Sequence, residues 1–143
     1  MINSTALGFE LQQKMYGLLS SDSLDNALGG SGRVFDHIPD NQAFPYVVFG
    51  EEDIQNMDSD THNGFQGTAT VRVYTQNTAR LGRKQCKEIM SAVWQLLHNA
   101  ELNMTERNTL NFACVDQQII KDEDGRTHQG VMIFDFKFGG NEI

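Results

Sequence analysis

The residues that most often carry chemistry in proteins form no catalytic or metal-binding pattern in this sequence. Its histidines are His37, His62, His98 and His128, and none has the HxH or HxxxH spacing that places two imidazoles on one metal ion. The carboxylates concentrate in segments expected to be loops, not at paired positions on helices or strands. We therefore predict no catalytic residue, no metal site and no cofactor.

Two short segments resemble binding loops without completing them. Asp122, Asp124 and Gly125 have the spacing of the start of a calcium loop, but the third oxygen ligand and the bidentate glutamate of an EF-hand are missing. The segment GGSGR around Ser31 lacks the strand-turn-helix context of a nucleophile and the GK[ST] sequence of a phosphate loop. A hairpin turn at 122–125 and a flexible linker at 29–32 are the simpler interpretations.

Composition restricts the class of partner. The chain has 143 residues, 39% hydrophobic residues and a formal charge of -8, which predicts one folded domain over residues 1–143. An acidic chain without a dense basic patch is not expected to bind phosphate backbones tightly. No stretch approaches the roughly 20 apolar residues of a membrane span, so we expect synthesis in a cytoplasm and no membrane partner.

Two helices are predicted from apolar spacing. Over residues 4–19 the positions 7, 11, 15 and 18 share one face, while Ile2, Phe9 and Tyr16 recur every seven residues on the opposite side. The second helix, residues 79–98, has its apolar face at positions 81, 89, 92, 93 and 96 and a basic opposite face. A further helical turn is expected around residues 24–28.

Strands are predicted at 33–37, 45–50, 68–75, 110–120 and 127–138. The third has the alternation of a half-buried strand, and the last two flank the turn DEDG and form a hairpin. Residues 51–67 are polar and acidic, which indicates either a long loop or the flared ends of a hairpin. The order of elements predicts an α+β fold: an antiparallel or mixed sheet of about four to five strands, with two helices packed on one face.

The whole chain resembles a family of small phage tail completion, or tail terminator, proteins. The resemblance is carried by GRVFDHIPDNQAFPYVVFGEE, the acidic MDSD, TATVRVYTQ, GRKQCKEIMSAVWQLLHNAEL and DEDGRTHQGVMIFDFKF, in that order. VFDHIP followed by PYVVFGE is the most specific part, and DGRTHQGV is the second. Tyr74 occupies a position that is usually Trp in the family.

The resemblance implies a structural virion protein without catalytic residues. It implies a homo-oligomeric ring, commonly a hexamer, that caps the tail tube at the head-proximal end of a phage or prophage tail and joins it to a head connector. DNA would pass through the lumen without tight binding. A head completion or connector subunit is the alternative in the same class, and a small ligand-binding domain or enzyme is the alternative in another.

Two sets of residues are candidates for contacts in such an assembly. The outer face of the first helix, Ile2, Phe9 and Tyr16, is a hypothetical subunit interface, unless the Gly-rich segment folds over it. Carboxylates of the acidic segment would line the lumen or contact a partner; they are Glu51, Glu52, Asp53, Asp58 and Asp60. We expect residues 51–66 to be mobile in the free subunit.

Overall fold

The computed structural model describes residues 4–57, 64–76, 82–102, 104 and 109–139. Their elements, in chain order, are α1 (Ser4–Leu19), α2 (Asp22–Leu28), β1 (Val34–Phe35), β2 (Tyr46–Asn56), β3 (Phe65–Gln76), α3 (Gly82–Leu97), β4 (Thr109–Lys121) and β5 (Thr127–Phe138). The predicted α+β class is confirmed, with α2 as a third helix.

The strands form one mixed sheet in the order β1-β2-β3-β5-β4. β1 runs parallel to β2, and the other neighbouring pairs are antiparallel. The β3–β5 pairing is the longest uninterrupted one and runs from Phe65 opposite Phe138 to Gln76 opposite Thr127. β2 and β4 therefore flank a central pair, and most of the outer edge of the sheet on each side belongs to them.

Side-chain alternation on the central strands decides which face of the sheet is covered. On β3 the buried positions are Phe65, Ala69, Val71, Val73 and Thr75, each facing a buried position of β5. On β5, Phe134, Phe136 and Phe138 are fully buried on the same face. All three helices join these strands in one hydrophobic cluster, so the helices cover one face and leave the other uncovered.

The buried face of each long helix differs slightly from its prediction. In α1, Leu7, Leu11 and Met15 are buried as expected, but the face continues to Leu19, and Leu18 is only partly buried. In α3, Ala92 and Leu96 of the predicted face are only partly buried, and position 81 is outside the described residues. The buried residues of α3 are Cys86, Ile89, Met90, Val93 and Leu97. Both helices still bury one stripe against the sheet, as amphipathic helices do.

The turn between β4 and β5 is held by one carboxylate. Asp124 accepts hydrogen bonds from the backbone N–H groups of Arg126 and Thr127, both at 2.8 Å, and from the Thr127 hydroxyl at 2.7 Å. These bonds favour the ionised form and lower the pKa of Asp124 to about 2. Gly125 has φ of 72°, a conformation that glycine adopts readily, and DEDG forms the predicted hairpin turn.

Two strands approach closely at a glycine. A Cβ added at Gly67 of β3 would collide with the carbonyl oxygen of Asp53 on β2. The obstacle is backbone, which cannot rotate away as the end of a side chain can. By contrast, a Cβ added at Gly17 of α1 would meet nothing within 4 Å.

We predict that Gly67→Ala destabilises the protein by about 2–3 kcal/mol, because the β2–β3 pairing must distort to admit the methyl group. The matched variant Gly17→Ala should stabilise it by about 0.5–1 kcal/mol, since alanine loses less backbone entropy in a helix. Urea denaturation followed by circular dichroism measures both. Equal stability of the two variants would contradict the close approach.

We predict that Asp124→Asn lowers the melting temperature at neutral pH. A carboxyl whose folded-state pKa is depressed contributes stability above its unfolded pKa and loses it as pH falls through the folded value. The difference in melting temperature between wild type and variant should therefore shrink as pH falls from about 4 to about 2. A difference that stays constant over this range would show that the carboxylate bonds do not stabilise the turn.

Candidate functional site

The histidines lie apart from one another in the described part of the chain. The ring of His98 stacks on that of Trp94 at a centroid distance of 4.3 Å. Its Nδ1 accepts a hydrogen bond of 3.0 Å from the backbone N–H of Cys114, which connects the end of α3 to β4. His128 is buried, and His62 lies outside the described residues. Among the described residues no group of three His, Cys, Asp or Glu side chains could hold a metal ion. No helix there is long and apolar enough to cross a membrane.

The outer face of α1 forms an exposed groove at the β2 side of the sheet. Phe9 is 67% exposed and Tyr16 is 47% exposed, two turns apart on the helix. They line a groove of about 350 Å³ with Gln12, Gln13, Asp36 and Phe49, which we call the α1 groove. The sequence hypothesis placed Phe9 and Tyr16 on one outward face, and they share this groove; Ile2 lies outside the described residues.

The acidic segment is a strand over residues 51–56, so the interpretation of a long loop is wrong for these residues. β2 continues to Asn56, which faces Phe65 of β3, and the N–H of Met57 donates to the carbonyl of Gly64 at 2.8 Å. The alternative interpretation, the ends of a hairpin, is the correct one. Asp58 and Asp60 lie outside the described residues.

The three described carboxylates of this segment have different surroundings. A register shift between Phe49 and Glu52 places Glu52 opposite buried Ala69, on the helix side. Its carboxylate lies beside α1, where burial and the charge of Asp36 raise the pKa of Glu52. On the uncovered face, Arg72 binds Glu51 at 2.7 Å, and this hydrogen bond lowers the pKa of Glu51. Asp53 accepts from the Gln55 amide at 2.9 Å.

A second groove lies at the opposite edge of the sheet, between α3 and β4. It has a volume of about 430 Å³, and we call it the α3–β4 groove; its lining residues are Lys87, Met90, Ser91, Trp94, Gln117, Gln118 and Ile119. Val115 and Ile120 of β4 are also exposed, at 59% and 44%, and the pairing of Ile120 with Gln129 places Ile120 on the face of the sheet away from this groove. This edge therefore presents apolar side chains to solvent.

Sequence reasoning missed the α3–β4 groove. It assigned neither Trp94 nor β4 to a contact surface. A signal was present in β4, because its apolar residues break the period of two expected of a half-buried strand. The break follows a bulge between Cys114 and Asp116, which puts Val115 out of alternation.

Only the first half of the outer edge of β4 is covered by described residues. The N–H of Asn99 donates to the carbonyl of Phe112 at 2.8 Å, and the Cys114 N–H donates to His98. From Val115 to Lys121 the described part of the chain supplies no strand on the outer side. An uncovered edge with exposed apolar side chains is a common site of contact with another chain.

An aromatic cluster occupies one end of the uncovered face. Tyr74 stacks on Tyr46 with ring centroids 5.3 Å apart, and Phe44 and Phe35 contact the other side of Tyr46. Burial raises the pKa of both tyrosine hydroxyls. Tyr74 therefore packs against Tyr46 as part of this cluster.

Comparison with known families decides the class of protein. A family model described as tail completion protein gp17 matches residues 13–138, most of the chain. The chain belongs to this family. It is therefore a structural protein of a phage-type virion, located in the tail, and the resemblance seen in the sequence is confirmed.

A solved structure shares the fold over nearly its whole length. A chain from the virion of a native gene transfer agent particle is similar with a TM-score of 0.83 and 22% sequence identity, covering 96% of this chain and 100% of that one. No curated protein matches the chain. At this identity the likeness supports the fold of the tail completion subunit and no residue-level role.

We predict that the Met57 amide and about half of the amides of residues 51–56 exchange slowly in the free subunit. The Met57 amide is hydrogen bonded across the hairpin, and strand amides directed at β3 are bonded too. The amide of Ala43, an exposed residue before β2, is the fast control. Hydrogen exchange measured by NMR tests this; uniformly fast exchange over 51–57 would restore the mobile loop.

Proposed function

We propose that the chain acts as a single-domain ring subunit that completes the phage tail at its head-proximal end. The ring, a hexamer as is common in this family, caps the tail tube and joins it to the head connector, and no residue has a catalytic role. The observation that carries this proposal is the α1 groove, where Phe9 and Tyr16 are exposed on a small tail completion protein. Large exposed aromatics in a groove are typical of subunit contacts.

The expected contact energies favour a closed ring over isolated pairs of subunits. Burying an aromatic residue at the centre of an interface contributes on the order of 2 kcal/mol or more. Association also loses translational and rotational freedom, so two aromatics support a weak pairwise contact. In a closed ring each subunit makes this contact twice, which favours the complete ring over open fragments.

Charge suits a ring through which DNA passes without tight binding. Each copy has a formal charge of -8, so a ring of several copies is strongly acidic. Screening limits direct effects to about 8 Å at physiological salt, so only carboxylates that line the bore repel DNA. The candidates are Glu51, Glu52, Asp53, Asp58 and Asp60. Arg72 partly neutralises Glu51, which leaves Asp53 as the stronger described candidate.

The proposal predicts that Phe9→Asp and Tyr16→Asp prevent ring formation without unfolding the subunit. Both side chains are exposed, so the charge is tolerated in the monomer, but it would be buried without a partner in the interface. We expect at least a tenfold loss of assembly by analytical ultracentrifugation in the presence of isolated tails, with an unchanged circular dichroism spectrum.

The matched control is Ser23→Asp. It adds the same charge at an exposed position in the first turn of α2, where a carboxylate is favourable, and it does not line the α1 groove. This variant should assemble like wild type. Electron microscopy of complemented particles provides the functional test: tails made with Phe9→Asp should lack the terminal ring. Normal tails with that variant would show that the α1 groove is not a subunit contact.

A further inference from the structure

We infer that the α1 groove of one copy receives the α3–β4 edge of the next copy, so that subunits join head to tail. This inference rests on the proposed ring, and it names the partner surface that the ring proposal leaves open. The occupant of each groove is a second copy of this chain. Four properties of the two edges support the pairing: position, apolar character, charge and the state of the strand edges.

The two grooves lie on opposite sides of the molecule. α1 packs on β2, and α3 packs on β3, β5 and β4, so the strand order places the grooves at the two ends of the sheet. A contact between two different surfaces is heterologous, and it gives a closed ring when the rotation between neighbouring copies divides a full turn evenly, or an open helix when it does not. A contact between identical surfaces would stop at a dimer.

The grooves are similar in size and in apolar content. Their volumes are about 350 and 430 Å³, and each has exposed aromatic side chains at its rim: Phe9 and Tyr16 on one side, Trp94 on the other. Glutamines complete both linings. Interface cores are enriched in aromatic residues and depleted of charged ones, and both grooves have this composition, with one charged residue each.

The charges of the two edges are opposite in sign. The single charged residue of the α3–β4 groove is Lys87, and that of the α1 groove is Asp36. Around them, α3 has three basic residues and one acidic residue, Glu88, whereas Asp36 lies close enough to the carboxylate of Glu52 for their charges to interact. Unlike edges therefore attract and like edges repel, which disfavours a symmetric dimer through either groove.

The outer edges of β2 and β4 also differ from each other. β2 has charged side chains at residues 51–53 and a bulge in its pairing with β3, and both features disfavour pairing with a further strand. The Val115–Lys121 half of β4 instead exposes Val115 and Ile120. Contact between the edges is therefore made by side chains seated in grooves, not by continuation of the sheet.

Chemical cross-linking tests the pairing in assembled particles. Gln13 in the α1 groove and Ser91 in the α3–β4 groove are both exposed, so cysteine is tolerated at each. The variants are built in a Cys114→Ser background, in which the hydroxyl can replace the thiol donor to the Asp116 carbonyl. The remaining Cys86 is buried, and burial raises the pKa of its thiol, so it reacts slowly.

A short bismaleimide should link Gln13→Cys/Ser91→Cys subunits into a ladder of multimers that ends at the ring. Each single variant alone should remain monomeric on a denaturing gel. Particles assembled from a mixture of the two single variants should give dimers and nothing larger, because each linked copy has no second cysteine. The control pair Ser23→Cys/Ser91→Cys, with its first cysteine on α2, should give no ladder.

Dimers from either single variant alone would overturn the inference, because they require contact between like edges. Monomers only from the double variant, in tails whose ring is visible by electron microscopy, would overturn it and leave the ring proposal standing. Absence of any ring from tails that contain wild-type protein would contradict both the head-to-tail pairing and the ring proposal. A second pair, Gln12→Cys/Gln118→Cys, repeats the test from adjacent groove positions if the first pair impairs folding.

Discussion

The fold depends on the uninterrupted pairing of β3 with β5. Twelve residues of each strand face each other, and this register fixes which side chains of both strands point towards the helices. A slip of one residue would turn the buried side chains of one of the two strands, either that of Val71 or that of Phe134, to the uncovered face. The outer strands and the helices attach to this pair, so the two edges of the sheet are where the molecule meets its surroundings.

The sequence predicted the elements whose signal is periodic. The spacing of Leu7, Leu11 and Met15 indicated α1, and the alternation of Ala69, Val71 and Val73 indicated β3, because in both cases burial on one side imposes a period. For residues 51–56, which continue β2, the sequence left a loop and a hairpin end as alternatives. An edge strand with charged side chains buries little apolar surface and therefore shows no hydrophobic period. Its length is set by pairing with β3, which only the three-dimensional register reveals.

The candidate surfaces were predictable only in part. Phe9 and Tyr16 could be assigned to one outward face because their seven-residue spacing is two helical turns. The α3–β4 groove could not be found in this way, because it joins elements that are distant in sequence. Its position depends on the crossover that places β4 outside β5 and on the bonds that His98 and Asn99 make to β4.

The chemical difference between the two edges connects this fold to its role in the tail. One edge is acidic and offers aromatic side chains on a helix; the other is basic and offers apolar side chains on a helix and a strand. Identical edges would favour pairs of subunits, whereas unlike edges favour a cycle. The proposed ring would use this difference, because each subunit would meet the next through unlike edges.

Cryo-electron microscopy of the head-proximal end of the tail tests this account most directly. A reconstruction should show a ring in which α1 of each subunit, with Phe9 and Tyr16, packs against Trp94 and Lys87 of the next. A ring in which these two edges face solvent, or in which α1 packs on α1 of a neighbour, would contradict it.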